Sequence, residues 1–277
     1  MANRKPIQSV KGQQTVDGAG VKLIRVLGYQ TTKDFDPFLM LDFFDSKNPV
    51  DYISGFPLHP HRGIETVTYL AEGEIEHQDH MGNKGVIRDG ESQWMTAGSG
   101  IMHQEMPSAA PSMLGLQLWI NLKSDEKMTD PKYNDITSKD IMSKIDDDGE
   151  VRVISGKYKE VTGFQPNHVK ASIFDIRINP GKEIMIDTDS EDNVFVFLLR
   201  GSASVEGEDL QFKAATRFSE GDKLVLKAGN EGAYIIYFAG KPVKEEIAWA
   251  GPIVMNTDKE LNEAFMELDN GTFVKNM

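Results

Sequence analysis

The chain has 277 residues, a net charge of −13 and no cysteine. It is long enough for one or two hydrophobic cores, and any metal ion must be bound by histidine and carboxylate side chains. The acidic charge works against binding to nucleic acid and anionic membranes, because affinity for phosphate comes from lysine and arginine. No apolar run reaches the roughly 18–20 residues of a membrane span, and the N-terminus has no apolar signal core, so we expect a cytoplasmic protein without nucleic-acid or membrane partners.

Short segments with alternating or β-branched residues make up most of the chain, and Gly, Asn and Asp separate them. This pattern is typical of an all-β sandwich or barrel. Residues 79–85, DHMGNKG, resemble the tip of a hairpin. The predicted strands are, in chain order, 21–29, 65–77, 114–122, 168–178, 193–207, 223–228 and 233–240.

A polar, acidic segment at 129–150 interrupts the strands and is the best candidate for a linker, with a short helix over 138–145. A second helix is signalled near the C-terminus. Thr257 and Glu260 make a capping box, apolar residues follow at helical spacing, and Gly271 lies just past the end. We therefore expect one amphipathic helix packed on a sheet.

The two groups of strands resemble each other in sequence. YLAEGEIE is similar to FLLRGSAS, and QWMTAGSG is similar to KLVLKAGN. The matched glycines, Gly73 with Gly201 and Gly98 with Gly229, are separated by nearly the same number of residues. This similarity indicates a duplicated β-domain.

From this duplication we predict one domain at 1–137 and a second domain at 138–256, and the histidine segments described next make the first the metal-binding domain and leave the second without a metal site. The helix and tail at 257–277 are expected to pack back on the first domain. Each domain then has the size of a typical small domain.

Half of the six histidines lie in two short segments, FPLHPHRGIE and GIMHQE. Because side chains alternate along a strand, His59 and His61 project to one side, as do His103 and Glu105. Three imidazoles and one carboxylate suit iron, manganese, nickel, copper or zinc, and an octahedral ion keeps open positions. The pattern therefore predicts a metal site with room for a substrate oxygen or O2.

The carboxylate ligand has an alternative, because Glu65 has the same strand parity as His61. We favour Glu105, since an HxE pair on one strand supplies two ligands in a fixed relation. The other reading of these residues is structural, with the HPH segment shaping a loop. The positions that correspond to the four ligands in the second half of the chain carry no histidine, as one site on a duplicated scaffold predicts; they are Asp187, Asp189, Tyr234 and Ile236.

Other residues near these motifs are less informative. His77 and His80 flank the predicted hairpin tip and are expected to be exposed turn residues. Phe56, Trp94 and Met95 lie next to the ligand motifs in sequence, where they line either an apolar pocket or the core.

The two metal motifs resemble those of the cupin superfamily, and longer segments are similar to the pirin family, whose members contain two cupin domains. The resemblance runs from near the N-terminus to the C-terminal helix. It implies an all-β fold of two tandem cupin, jelly-roll-like β-barrel domains with a C-terminal α-helix. The segments that carry it are 17–28, 36–44, 55–87, 93–107, 116–136 and 249–257.

The resemblance also implies a ligand set and an activity. In pirins the first cupin domain binds one metal, usually taken as iron, which implies His59, His61, His103 and Glu105 as ligands of Fe(2+), while zinc, manganese, nickel or copper fit the same groups. Several pirins resemble quercetin 2,3-dioxygenases, which open the heterocycle of a flavonol with O2 and release carbon monoxide. Glu105 can then also accept the proton of the flavonol 3-hydroxyl as a general base.

The expected partners are therefore a small aromatic, flavonol-like substrate and O2. Other pirins resemble redox-responsive co-regulators of transcription, which makes an iron-dependent, partner-binding protein without catalysis the alternative function. We expect a monomer.

Overall fold

The computed structural model describes residues 2–275, which form mostly antiparallel strands. The helices are two short 3-10 turns at Tyr29–Thr31 and Pro49–Asp51, α1 at Thr32–Phe35 and α2 at Asp258–Asp269. The strands are β1 Pro6–Lys11, β2 Gln13–Asp17, β3 Val21–Leu27, β4 Phe38–Ser46, β5 Phe56–His61, β6 Ile64–Glu72, β7 Ile75–Asp79, β8 Lys84–Ile87, β9 Ser92–Thr96, β10 Ile101–Pro107, β11 Met113–Asn121, β12 Lys132–Ile136, β13 Met142–Asp146, β14 Gly149–Ser155, β15 Lys157–Tyr158, β16 Val161–Thr162, β17 Ser172–Ile178, β18 Glu183–Asp187, β19 Asn193–Val205, β20 Glu208–Asp209, β21 Ala214–Phe218, β22 Lys223–Gly240, β23 Ala248–Ala250 and β24 Ile253–Met255.

The chain divides into two compact units. The first unit contains residues 14–32, 38–137 and 243–275, and the second unit contains residues 2–13, 33–37 and 138–242. These units differ from the predicted ranges 1–137, 138–256 and 257–277 at their edges. The N-terminal residues belong to the second unit because β1 pairs with β21, and the segment that precedes α2 belongs to the first because the backbone N–H of Val254 donates to Arg62.

In the first unit, one sheet has the order β12-β9-β6-β11-β4-β3-β2 and a second has the order β5-β10-β7-β8. Strands β6 and β11 are buried along nearly their whole length. An apolar cluster that includes Phe44 and Leu70 of the large sheet with Ile75 and Ile87 of the small sheet fills part of the space between them. Each buried side chain of this kind contributes about 1.5–3 kcal/mol of hydrophobic free energy.

In the second unit, β22 pairs with β17, β18 and β19 in a nine-stranded sheet. The two predicted strands at 223–228 and 233–240 are one long strand here. Aromatic pairs stabilise the interior, with Phe174 stacked on Tyr237 at 4.9 Å between ring centroids and Phe195 stacked on Phe238 at 4.5 Å. The strand FLLRGSAS thus lies in β19 as its counterpart YLAEGEIE lies at β6 and β7.

The predicted helix at 138–145 is wrong, and the predicted linker at 129–150 contains strands β12 and β13. Strand β13 pairs with β14 from Met142 opposite Val153 to Asp146 opposite Gly149. A short polar segment has only a weak helical preference, so pairing with a neighbouring strand decides its structure.

Helix α2 forms as predicted and lies in the first unit. The Thr257 side chain accepts from the backbone N–H of Glu260, and the Glu260 carboxylate accepts from the backbone N–H of Thr257. Ala264 is buried in an apolar cluster with Ile253 and Phe273. Within residues 2–275, neither helix combines the length and the apolar character needed to cross a bilayer.

Candidate metal centre

Two antiparallel strands bring the predicted histidines together. His59 on β5 lies opposite His103 on β10, and alternation along β5 places His61 on the same side as His59. The imidazole centroid of His103 is 4.3 Å from that of His59 and 5.1 Å from that of His61. One ligand atom from each of the three rings can be chosen so that all lie within 4.8 Å of one another. Three imidazoles therefore converge on one point, as the sequence predicts.

The turn after His61 is held from several directions. Gly63 has a φ of +78°, and a Cβ atom at this position would lie 1.9 Å from the backbone oxygen of Val254, so only glycine fits. The neighbouring Arg62 guanidinium is buried and donates to the backbone oxygens of Ser99 at 2.7 Å and Phe273 at 2.8 Å. These contacts fix the direction in which the HPH segment presents its rings.

Backbone carbonyls determine which nitrogen of His59 and His61 carries the hydrogen. His59 Nδ1 lies 2.9 Å from the oxygen of Pro57, and His61 Nδ1 lies 3.0 Å from the oxygen of Pro252. A carbonyl oxygen only accepts, so each Nδ1 is the donor and each Nε2 of the neutral ring has a lone pair. The two Nε2 atoms are 3.1 Å apart. Two lone pairs at this distance repel each other, and a cation bound by both removes the repulsion.

The third ring has an open ligand atom too. His103 Nε2 is buried and has no hydrogen-bond partner among residues 2–275, an arrangement that is costly unless something else binds there. Burial, with the neighbouring rings as a smaller cause, lowers the pKa of His61 to about 3 and lowers the pKa of His103 well below its ordinary value. The rings are therefore neutral at pH 7, as metal ligands must be. These three residues fit a metal ion.

Glu105 faces the same region, but its carboxylate is held by other side chains. Its Oε1 accepts from Thr68 Oγ1 at 2.9 Å and from Gln93 Nε2 at 2.5 Å. Burial raises the pKa of Glu105 to about 7, and the two hydrogen bonds oppose this shift. Among residues 2–275, the group of ligand atoms within 4.8 Å contains the three histidines and not Glu105. Ligation by Glu105 stays a prediction.

A cavity of about 500 Å³ opens beside the rings, within the range of small-molecule sites. Its walls are partly aromatic, with the Trp119 ring 4.8 Å from the His61 ring. The charged side chains of Arg25 and Asp42 also line the cavity. Arg25 donates to both carboxylate oxygens of Asp42. The lining residues that matter for a ligand are His59, His61, Glu105, Gln117, Met40, Phe44, Phe56, Trp119, Trp249, Asp17, Arg25 and Asp42.

The Pirin family model matches residues 20–120, and the model of the pirin C-terminal cupin domain matches residues 173–274. The chain belongs to the pirin family. A pirin-like protein of Caulobacter vibrioides is 39% identical over 99% of this chain and 100% of its own length, and human pirin is 34% identical over 97% and 93%. The crystal structure of a quercetin 2,3-dioxygenase from Acinetobacter baumannii has a TM-score of 0.89 and 32% identity, with 98% of this chain and 99% of that chain covered. The predicted family and the predicted fold of two cupin domains are confirmed.

The other residues that the sequence of this pirin-family chain singled out beside the ligand motifs have different positions. Glu65 is buried on β6 and its Oε1 accepts from Thr96 Oγ1 at 2.8 Å, outside the group of ligand atoms. Phe56 lines the cavity, whereas Trp94 and Met95 are buried and do not line it.

His77 is a residue that sequence reasoning missed, because the expectation of an exposed turn residue is wrong. It is completely buried, its ring stacks on Tyr133 at 4.0 Å between centroids, and its Nδ1 lies 3.4 Å from His103 Nδ1. The rings of Tyr133 and His103, with centroids 4.0 Å and 5.2 Å away, cover the His77 ring on its face of the sheet. The signal in the sequence is parity, since Ile75, His77 and Asp79 alternate toward the interior. His80 is half-buried, and its Nδ1 accepts from the backbone N–H of Met102.

Proposed function

We propose that this chain is a metal-dependent dioxygenase of the pirin type, which opens the heterocycle of a flavonol such as quercetin with O2. The observation that carries the proposal is the convergence of three neutral imidazoles, whose ligand atoms lie within 4.8 Å of one another, beside a cavity with aromatic sides that His59 and His61 line. Its similarity to a quercetin 2,3-dioxygenase over nearly the whole chain supports the same reaction class.

His59, His61 and His103 would hold the ion, with Fe(2+) as the proposed metal; zinc, manganese, nickel and copper suit the same imidazoles. When bound, the ion supplies a Lewis acid and a template for the reacting oxygens. Pro57 and Pro252 keep two of the rings in the tautomer that presents Nε2 to the ion. Hydrogen bonds of this kind orient the ligands and raise their basicity.

The protein side chains bind the substrate and accept its proton. Phe44, Phe56 and Trp119 provide apolar surfaces for flat rings in the cavity. Glu105 is the proposed general base for the flavonol 3-hydroxyl. Its raised pKa of about 7 matches this role, because a base whose pKa lies near the working pH combines availability with driving force.

The first experiment is metal analysis of the purified protein together with O2 uptake in the presence of quercetin. We expect bound metal and O2 consumption in the wild-type protein, and loss of both in His59→Ala and His103→Ala. Bound metal without O2 uptake, for every metal tested, would favour the partner-binding function over catalysis. Absence of bound metal in a protein offered each metal would overturn both.

The role of Glu105 needs a separate experiment. Glu105→Gln keeps the size of the side chain but removes the base and the charge. If Glu105 acts as a base and not as a ligand, metal affinity stays unchanged while the turnover rate falls about 10²–10⁴-fold. If Glu105 is a ligand, affinity falls, and the wild-type affinity decreases as pH drops below about 7 because a proton competes for the carboxylate. A variant with full affinity and full turnover would exclude both roles.

A further inference from the structure

The outer side of the third ligand differs from that of the other two. His59 and His61 donate from Nδ1 to backbone carbonyls, which cannot be changed by a side-chain substitution. The Nδ1 atom of His103 instead lies 3.4 Å from Nδ1 of another imidazole, that of His77. The His77 imidazole thus takes, beside Nδ1 of His103, the position that a backbone carbonyl takes beside Nδ1 of His59 and of His61.

A carboxylate lies behind His77 in turn. His77 Nε2 is 3.4 Å from Asp79 Oδ2, and both side chains are completely buried. The Asp79 carboxylate is itself held by the hairpin, since its Oδ1 accepts from the backbone N–H groups of Met81 and Asn83, both at 3.0 Å, and its Oδ2 accepts from Asn83 Nδ2 at 2.8 Å. Asp79 therefore has a fixed position, although it lies at the end of a strand.

The Asp79 carboxylate determines the direction of the hydrogen bonds from His103 to His77 and from His77 to Asp79. A carboxylate only accepts, so His77 Nε2 carries the hydrogen, and the Nδ1 of a neutral His77 has the lone pair. That lone pair can accept only if His103 Nδ1 carries its hydrogen. His103 Nε2, which has no hydrogen-bond partner among residues 2–275, is then the atom with the lone pair. The carboxylate thus determines, through two rings, which nitrogen of His103 is available.

We infer that Asp79 and His77 form a relay, in which Asp79 orients His77 and the acceptor atom of His77 fixes the tautomer of His103 and increases its electron donation to the metal. This inference rests on the proposed function, in which His103 is a ligand. His77 is a positioning residue, since it acts through His103 and does not line the cavity. Outer hydrogen-bond partners of this kind change metal affinity by about 10- to 100-fold when they are removed.

Packing against the ring of Tyr133 is the alternative explanation for the position of His77. That ring stacks on His77 with an angle of 15° between the ring planes, so His77 could serve only to fill space. The two explanations differ in which atom matters. The relay needs an acceptor at the position of Nδ1, whereas packing needs only volume.

Two substitutions of nearly equal size separate these explanations. His77→Asn keeps a polar atom near the position of Nδ1 that can accept from His103, and His77→Leu has the same branched shape without an acceptor. The probe is nickel(II) alone, titrated into the metal-free full chain in competition with a chelator. The urea midpoint of each metal-free variant, followed by tryptophan fluorescence, shows whether the first unit is folded.

We expect His77→Leu to bind nickel(II) about 10-fold or more weakly than the wild-type protein and His77→Asn to bind it within a few-fold. In iron-loaded protein, His77→Leu should also have a higher reduction potential, because a less electron-rich His103 stabilises the oxidised ion less. Equal loss in both variants would assign His77 to packing, and wild-type affinity in both would also overturn the relay. A wild-type protein that binds no nickel(II) would instead refute the proposed metal site, and the relay with it.

Discussion

Arg62 connects the turn that follows the HPH segment to the C-terminal helix, and its removal tests how strongly that connection stabilises the first unit. The guanidinium side chain is 3% exposed and forms an ion pair with Glu267 at 2.7 Å, in addition to its two bonds to backbone oxygens. Its Cζ atom also lies 4.2 Å from the ring centroid of Phe273. Arg62→Met keeps the apolar stem and removes the charge and every donor.

The expected cost follows from burial. The Glu267 carboxylate is 30% exposed, so the cost comes mainly from the buried backbone oxygens, and each of these costs about 1–3 kcal/mol when it is left without a donor. Here the backbone oxygens of Ser99 and Phe273 lose the Arg62 donors, while Glu267 keeps Lys275 at 2.6 Å. With two such oxygens, we expect the free energy of unfolding of the first unit to fall by about 2–6 kcal/mol.

Tryptophan fluorescence during urea unfolding is the suitable assay, since Trp94, Trp119 and Trp249 are the three tryptophans of the sequence and all lie in the first unit. Lys275→Met is the matched control. Lys275 pairs with the same carboxylate but is 34% exposed, so its loss should cost less than about 1 kcal/mol. If Arg62→Met costs no more than this control, the buried hydrogen bonds of Arg62 do not stabilise the attachment of the helix.

Three further predictions concern the same unit. Gly63→Ala should lower the urea midpoint and abolish nickel(II) binding in a titration, because the new Cβ would lie 1.9 Å from the backbone oxygen of Val254 at a φ of +78°. Burial lowers the pKa of Lys127 from 10.5 to about 7, so between these values the unfolded chain binds more protons than the folded chain. The free energy of unfolding should therefore rise with pH in this window, by up to about 1.4 kcal/mol per pH unit, and urea unfolding at pH 7 and pH 9 should show a smaller rise in Lys127→Met. Nickel(II) at 100 times its dissociation constant should stabilise the wild-type protein by about 2.7 kcal/mol in the same assay and leave His103→Ala unchanged; stabilisation of that variant would place the ion elsewhere.

Much of the fold is visible in local sequence patterns. Alternation predicts the strands, and the capping box at Thr257 and Glu260 predicts the start of α2, because these signals depend on residues a few positions apart. For residues 138–145, the local pattern predicts the wrong structure, a helix in place of a strand. Their local preference is weak, and a strand partner decides their structure.

The sequence by itself determined which groups are available to the proposed metal site: without cysteine, a transition metal must be bound by imidazoles and carboxylates, and HxH on one strand with a third histidine on another supplies three imidazoles. Only the tertiary structure decided the surroundings of these rings. The Pro252 oxygen that fixes the tautomer of His61 comes from a segment 191 residues away, and the register of β10 against β7 places His77 behind His103. The tertiary structure likewise places Gln93 of β9 and Thr68 of β6 where they donate hydrogen bonds to Glu105 of β10. The position of a residue along one strand determines which face of the sheet its side chain lies on. The identity of its neighbour on the next strand depends on which strands pair and in what register.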